Sequence, residues 1–355
     1  MGTHRQRSRC LQRLGQLATS TLDCESVQRE AIADVQRLVG FDRWCWPLAD
    51  PATLLPLGGI AEHDYGPRLA RALELEYSGG DFAAKDVLAR RARLAGSLNA
   101  ETGGDLARSP RWDQVLRGVG IGDVAVVACR DGLGCWGWIE AYRDDGDRPF
   151  GDDDLEFLAT AGSALGPALR RGLGFMPPRK GTATPSATGV IVVNADLDVV
   201  SATAGARAWI GAFPLAWLFA AWGMLPGTVY PVAARARAGA GAAGARALDQ
   251  VADGRWILIE AAPLEGGAGG QIAVSLRDAT PGETFDRLCR VYGLSRRERE
   301  VAAALLAGAD TRAATERLFI SPHTFQDHLK SVFEKMHIHS RREMLALFSG
   351  TQDER

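Results

Sequence analysis

The chain has 355 residues, enough for two or three domains with cores of their own. It is 46% hydrophobic and 24% charged, with a net charge of −2, as expected of a globular protein. A balance so near neutrality excludes a chain that coats nucleic acid along its whole surface, so any basic patch must be local.

Six cysteines (Cys10, Cys24, Cys45, Cys129, Cys135 and Cys289) are scattered without CxxC pairs or His/Cys ladders. That spacing suits neither zinc nor a disulfide scaffold and predicts a reduced, cytoplasmic chain. The basic start HRQRSRCLQRLGQLA has no apolar run after it and does not read as a signal peptide.

In residues 1–171, DCESVQREAIADVQRLVG has helical spacing at Val27, Ile32, Val35 and Val39 and stops at Gly40. FDRWCWPLAD reads as a strand, and VAVVACRDGLGCWGWIEAYR as two strands joined by a turn at Asp131-Gly132. GDDDLEFLATAGSALGPALRR is an amphipathic closing helix with aspartates in its first turn, where the helix dipole favours them. The order predicts an α+β unit. Residues 172–188 are rich in Gly, Pro, Ser and Thr and read as a linker.

Residues 189–285 form a second expected unit. GVIVVNADLDVVSA is strand–turn–strand, and GRWILIEAAPLEGGAGGQIAVSLRDA holds two more strands. Between them, residues 208–234 carry no charge, but Pro214, Pro226 and Pro231 interrupt the run, leaving pieces too short to span a bilayer. Trp209, Phe213 and Trp217 share one helical side there and read as core or dimer contacts. AARARAGAGAAGARA follows as low-complexity sequence.

Residues 286–355 read as all helix. Ser295 with Glu298 and Ser340 with Glu343 are capping boxes, Asp310 and Ser321 are further caps, and Pro322 occupies a first helical position. Four short capped helices fit a helix-turn-helix arrangement. Along SPHTFQDHLKSVFEKM, Phe325, Leu329, Val332, Phe333 and Met336 share the core face. His323, Asp327, Lys330, Ser331 and Glu334 centre on the opposite face, with Gln326 on one flank and Thr324 and His328 on the other. Gln to adenine, Asp to the cytosine amino group and Lys to guanine or phosphate are usual pairings for a major-groove helix. Thr324 and His328, with Lys335, Arg341 and Arg342 beyond, are placed to hold phosphates. Over residues 293–349, nine Arg and Lys face seven acids, so charge alone does not distinguish this face from an ordinary solvated one.

The stretch GLSRREREVAAALLAGADTRAATERLFISPHTFQDHLKSVFEKMHIHSRREMLAL closely resembles the LuxR/FixJ-type DNA-binding domain. The resemblance implies that Phe325 is core, that Gln326, Asp327 and Lys330 meet bases, and that the chain binds double-stranded DNA as a homodimer on a two-fold site. The chain departs from the family at Ala314-Thr315, where an Ile-Ala pair is usual, and at Gln326-Asp327, where lysine is common. An acid at 327 repels phosphates, and it is also a candidate to read cytosine.

The first unit resembles a GAF domain through GCWGWIE and FGDDDLEFLA, and the middle unit resembles a PAS domain. The fold expected is therefore two α+β sensory units of antiparallel sheet and helix, followed by a four-helix LuxR-type domain. GAF domains bind small molecules between sheet and helices, and Trp44, Trp46, Trp136 and Trp138 are candidates either to line such a pocket or to fill the core. Each tryptophan pair is expected to share a sheet face. Cys45 and Cys135 would sense redox state only as exposed thiolates, and His63 is a remote candidate for haem. No GxxxxGK[ST] loop, phosphoacceptor cluster, nucleophile–base pair or metal spacing is present, so neither enzymatic activity nor a cofactor is expected. Two readings remain: a one-component regulator gated by a small-molecule effector, or a DNA-binding protein whose upstream units only dimerise or contact a partner.

Overall fold

The structure is a computed structural model that describes residues 2–62, 65–174, 187–214, 223–266 and 269–349. His63, Trp217 and most of the expected linker lie outside these residues. Among the described residues, no helix is long and apolar enough to cross a membrane.

The basic start forms helix α1 (Gly2–Leu17), which buries Cys10 and Leu14. Asp23 caps α2 (Cys24–Val39), and Gly40 ends it with φ at +73°, a left-handed conformation that costs glycine little. Strands β1 (Arg43–Ala49) and β2 (Pro56–Ala61) follow, then helices α3 (Leu69–Tyr77) and α4 (Lys85–Leu88). Next come β3 (Ala95–Ser97), α5 (Leu98–Thr102), β4 (Ile121–Asp131), β5 (Gly134–Asp144) and the long α6 (Asp152–Leu173). The five strands make one antiparallel sheet in the order β2-β1-β5-β4-β3.

Helices α1, α2 and α6 lie on one face of this sheet. Helix α6 comes close because Gly162 and Gly166 face β4, where a Cβ would collide with the backbone of Ala128 and Arg130. Buried on this face are Val27, Ala31, Trp46, Trp136, Ile139, Leu158 and Leu165. The other face carries a second core with Leu88, Leu98, Val115, Val126, Trp138 and Tyr142.

Trp136 and Trp138 do not share a face, contrary to the alternation expected from sequence. Cys129 pairs with Gly137 and Arg130 with Cys135, so Trp136 is the extra residue of a β-bulge and turns to the α6 side.

The middle unit has β6 (Gly189–Val193), β7 (Val199–Ala202), α7 (Ala204–Ala212), α8 (Val229–Arg237), β8 (Arg246–Gln250), β9 (Trp256–Pro263) and β10 (Ile272–Asp278). Its order, β7-β6-β10-β9-β8, repeats the arrangement of the first sheet strand for strand. Two elements escape a reading by periodicity. Helix α8 and strand β8 arise beside and within the alanine- and glycine-rich stretch, where few large apolar residues mark a period. Pro231 does not break α8, since it sits in the first turn, where backbone N–H groups have no intrahelical partner. Strand β9 serves two cores: Ile257 and Ile259 face its own unit, while Trp256 and Leu258 face the C-terminal helices.

Helix α9 (Pro281–Val291) opens on a Thr280–Glu283 capping box, and the expected boundary at 285/286 falls inside it. Phe285 stacks on Phe348 at 5.6 Å between ring centroids. Helices α10 (Arg296–Leu306), α11 (Thr311–Leu318), α12 (Pro322–Met336) and α13 (Arg341–Ser349) complete the chain.

Candidate nucleic-acid interface

Each C-terminal helix is started by a short polar side chain that accepts from a free amide. Ser295 caps α10, Asp310 caps α11 and Ser321 caps α12. At Ser340, the hydroxyl accepts from Glu343 N at 3.1 Å, but the glutamate reaches back one residue further than expected, to His339 N at 2.9 Å. The turn between α11 and α12 is set by Phe319, which takes a left-handed conformation at φ +53° and is 93% exposed. A non-glycine residue so strained and so exposed is uncommon.

On α12, Phe325, Leu329, Val332 and Met336 are buried, and Val301, Leu305 and Ala314 pack in the same core. Thr315 is also buried and donates to Arg312 O at 2.8 Å, so the departure at Ala314-Thr315 is packed with its hydroxyl satisfied.

Glu298 fixes how α12 rolls against α10. One carboxylate oxygen accepts from Ser295 N (2.6 Å) and Lys335 Nζ (2.7 Å), and the other from Ser331 Oγ (2.6 Å). Ser331, half-buried, and Lys335, exposed, both expected from sequence to touch DNA, are thus each bonded to Glu298 of their own domain. The capping box was legible in sequence. The same carboxylate's contact with the next-but-one helix was not, because it spans more than thirty residues.

The outward side of α12 is left to His323, Gln326, Asp327 and Lys330, all exposed, with Thr324 and His328 half-buried on its flank. Asp327 Oδ2 lies 3.0 Å from His323 Nδ1, and Lys330 Nζ lies 3.8 Å from Glu334. Such surface pairs are weak and separate at little cost when a ligand arrives. Arg341 donates to Thr311 at 3.1 Å, bridging the last helix to α11. Arg341 and Arg342 are both exposed.

Burial raises the Glu298 pKa, but Lys335, Ser331 and the amide and hydroxyl of Ser295 outweigh it, lowering the carboxyl from 4.5 to about 2. A depressed carboxylate adds stability above its unfolded value, and that stability is lost as pH falls through the folded value. Glu298→Gln is therefore expected to destabilise the chain by roughly 1–3 kcal/mol near neutrality. The gap from the parent should close as pH falls from about 4 toward 2. Urea midpoints at pH 6 and pH 3 test this, and a gap that does not change with pH would mean that the Glu298 carboxylate does not hold α12 against α10.

The tryptophans of the first unit do not line an open pocket. Trp46, Trp136 and Trp138 are fully buried and Trp44 nearly so. Cys135 is buried and Cys45 is half-buried against the same core. Burial pushes both pKa values up, that of Cys135 to about 12, so neither is a thiolate near neutrality.

The second face of the same sheet holds a charged constellation that no sequence motif marks. Lys85 Nζ lies 2.6 Å from Glu76 and 2.8 Å from Glu140, while Arg111 Nε lies 2.9 Å from Asp81. Arg111 Nη1 is 3.4 Å from Glu76 and 3.6 Å from Glu140. Tyr65 and Tyr142 hydroxyls meet at 2.7 Å, and Tyr142 donates to Glu140 at 2.9 Å. Burial alone would raise the Glu140 pKa, but Lys85 and Arg111 hold it below the usual carboxylate value.

A capped helix pair joined by a tight turn, the second helix presenting a polar face to solvent, defines a helix-turn-helix DNA-binding unit. Residues 293–348 match the luxR family of bacterial regulatory proteins, so the C-terminal unit is a LuxR-type helix-turn-helix domain. An Aeromonas salmonicida protein described as a putative HTH-type transcriptional regulator in the exeN 3′ region is 44% identical over 55 residues, which are 16% of this chain and 28% of that protein. The crystal structure of the bacteriophytochrome RpBphP3 from R. palustris aligns over 76% of this chain and 63% of its own, at 15% identity and a TM-score of 0.29. A likeness at that score carries no argument about the sheet units.

Proposed function

We propose that the chain is a cytoplasmic, one-component, sequence-specific transcriptional regulator and not an enzyme. It binds double-stranded DNA as a homodimer, and its GAF-like and PAS-like units respond to a small molecule. The observation that carries the reading is the exposed His323–Gln326–Asp327–Lys330 face on a helix whose opposite side is core, within a LuxR-type domain. The repeated strand order of the two upstream units supports reading them as related sensory modules. The proposed units are residues 1–171, 189–285 and 286–355, with α9 as the helix that joins the last two.

Gln326 and Lys330 are proposed to read bases, Asp327 to accept from a cytosine amino group, and Thr324, His328, Arg341 and Arg342 to hold phosphates. Gln326→Ala or Lys330→Ala is expected to cost about 1–3 kcal/mol at a selected site and much less on random DNA. Asp327→Asn should relax one base position. Binding-site selection with the full chain and each variant tests all three, and equal losses on selected and random DNA would demote these residues to phosphate contacts. If Asp327→Asn instead tightens binding to every sequence, the acid only repels phosphate.

A further inference from the structure

We propose that the face of the first sheet opposite α6 is a binding site for a compact amine that also carries a hydrogen-bond acceptor, as free amino acids and amino alcohols do. This site rests on the sensory reading of the upstream units and gives that reading a ligand class. Lys85, Arg111, Glu76 and Glu140 are each no more than 4% exposed, and the Asp81 side chain is 1% exposed. Two cations there face three carboxylates, an excess of negative charge that a cationic guest neutralises. Buried charges are retained at a cost in stability unless they are paired and fully hydrogen-bonded.

These are not fully bonded. Arg111 Nη2, Trp138 Nε1, the Tyr77 hydroxyl and Glu76 Oε1 are buried with no hydrogen-bond partner. They belong to one place: Trp138 and Glu140 are two residues apart on β5 and share a face, and Lys85 Nζ stands 6.0 Å from the centre of the Tyr77 ring. Arg111 and Trp138 can only donate, so they require an acceptor, while Glu76 Oε1 requires a donor. A molecule with both groups, and positive charge at the donor, meets all these demands. A water meets the hydrogen-bonding demand but leaves the charge excess in place.

The site is wired outward. Glu74, two residues before Glu76, bonds Arg237 of α8, and Asp86, next to Lys85, bonds Arg235 at 2.9 Å. Movement of α3 or α4 on occupancy therefore reaches the middle unit directly.

Freshly purified full-length chain should show a bound small mass in native mass spectrometry, or its melting temperature should rise with ethanolamine or at least one of the twenty common L-amino acids. No bound mass and no shift with any of these probes overturns the site. With the active probe, Tyr77→Phe should leave the ligand-free melting temperature unchanged or higher, because it removes an unpaired hydroxyl, yet weaken binding roughly tenfold. Glu76→Gln should weaken binding of the cationic probe similarly. A Tyr77→Phe chain that melts earlier and binds the probe as before would make the hydroxyl part of a purely structural network, overturning the proposal. Selected-site DNA binding is measured in parallel. A chain that binds DNA but no probe loses the site and keeps the regulator reading, whereas one that binds the probe with no change at DNA keeps the site and loses the sensory reading.

Discussion

Arg287→Ala is expected to lower the unfolding free energy by roughly 3 kcal/mol and to separate one cooperative melt into two or more. Arg287 stands on α9 where all three units meet. It donates to Leu248 O of β8 at 3.0 Å, lies 3.9 Å from Asp50 at the end of the first unit's β1, and covers the Trp256 ring at 4.9 Å. Asp50 itself accepts from Leu248 N at 3.0 Å. Burial lowers the Arg287 pKa and Asp50 and Asp249 counter it, and a guanidinium keeps its charge in such a place. Removing it leaves the buried Asp50 and Asp249 carboxylates without the cation that offsets their charge. Arg170 reinforces the junction, reaching Asp131 at 2.7 Å and Val291 O at 2.9 Å. Urea unfolding followed by tryptophan fluorescence and by far-UV circular dichroism gives the test. Coincident transitions with an unchanged midpoint would mean that the junction does not couple the units.

Lys85→Met is expected to cost roughly 3–5 kcal/mol at neutral pH, because it removes one of the two cations that, among the described residues, pair with Glu76, Asp81 and Glu140, while conserving volume. In the parent chain, Glu140 has a lowered pKa, so its contribution is present above the unfolded value and lost as pH falls through the folded one. Without Lys85, desolvation dominates and Glu140 titrates above its unfolded value. Stability of the variant then recovers as pH falls through that raised value, opposite to the parent. Unfolding free energies of both chains at pH 7.5 and pH 5 decide the matter, and a gap of equal size at the two pH values would count against it.

Much of the C-terminal unit is local in origin, and so it is legible. Ser295, Asp310 and Ser321 cap helices through bonds spanning three residues, and the core stripe Phe325–Leu329–Val332–Met336 follows from a period of 3.6. Hydrophobic alternation and turn residues likewise place β1, β4, β5, β6, β7, β9 and β10. Helix α8 and strand β8 escape because alanine and glycine mark no period.

What tertiary structure alone decided depends on groups distant in sequence. The bulge that sends Trp136 and Trp138 to opposite faces is a property of register between two strands, invisible to alternation along one of them. Ser331 and Lys335 sit on the exposed half of a helical wheel, but Glu298 from another helix bonds both, while His323, Gln326, Asp327 and Lys330 face outward. Lys85, Arg111, Glu76, Asp81 and Glu140 look like ordinary surface charges when read along the chain. Only the packing of α3, α4 and β5 takes them out of water, and in a low-dielectric interior each then matters to the others.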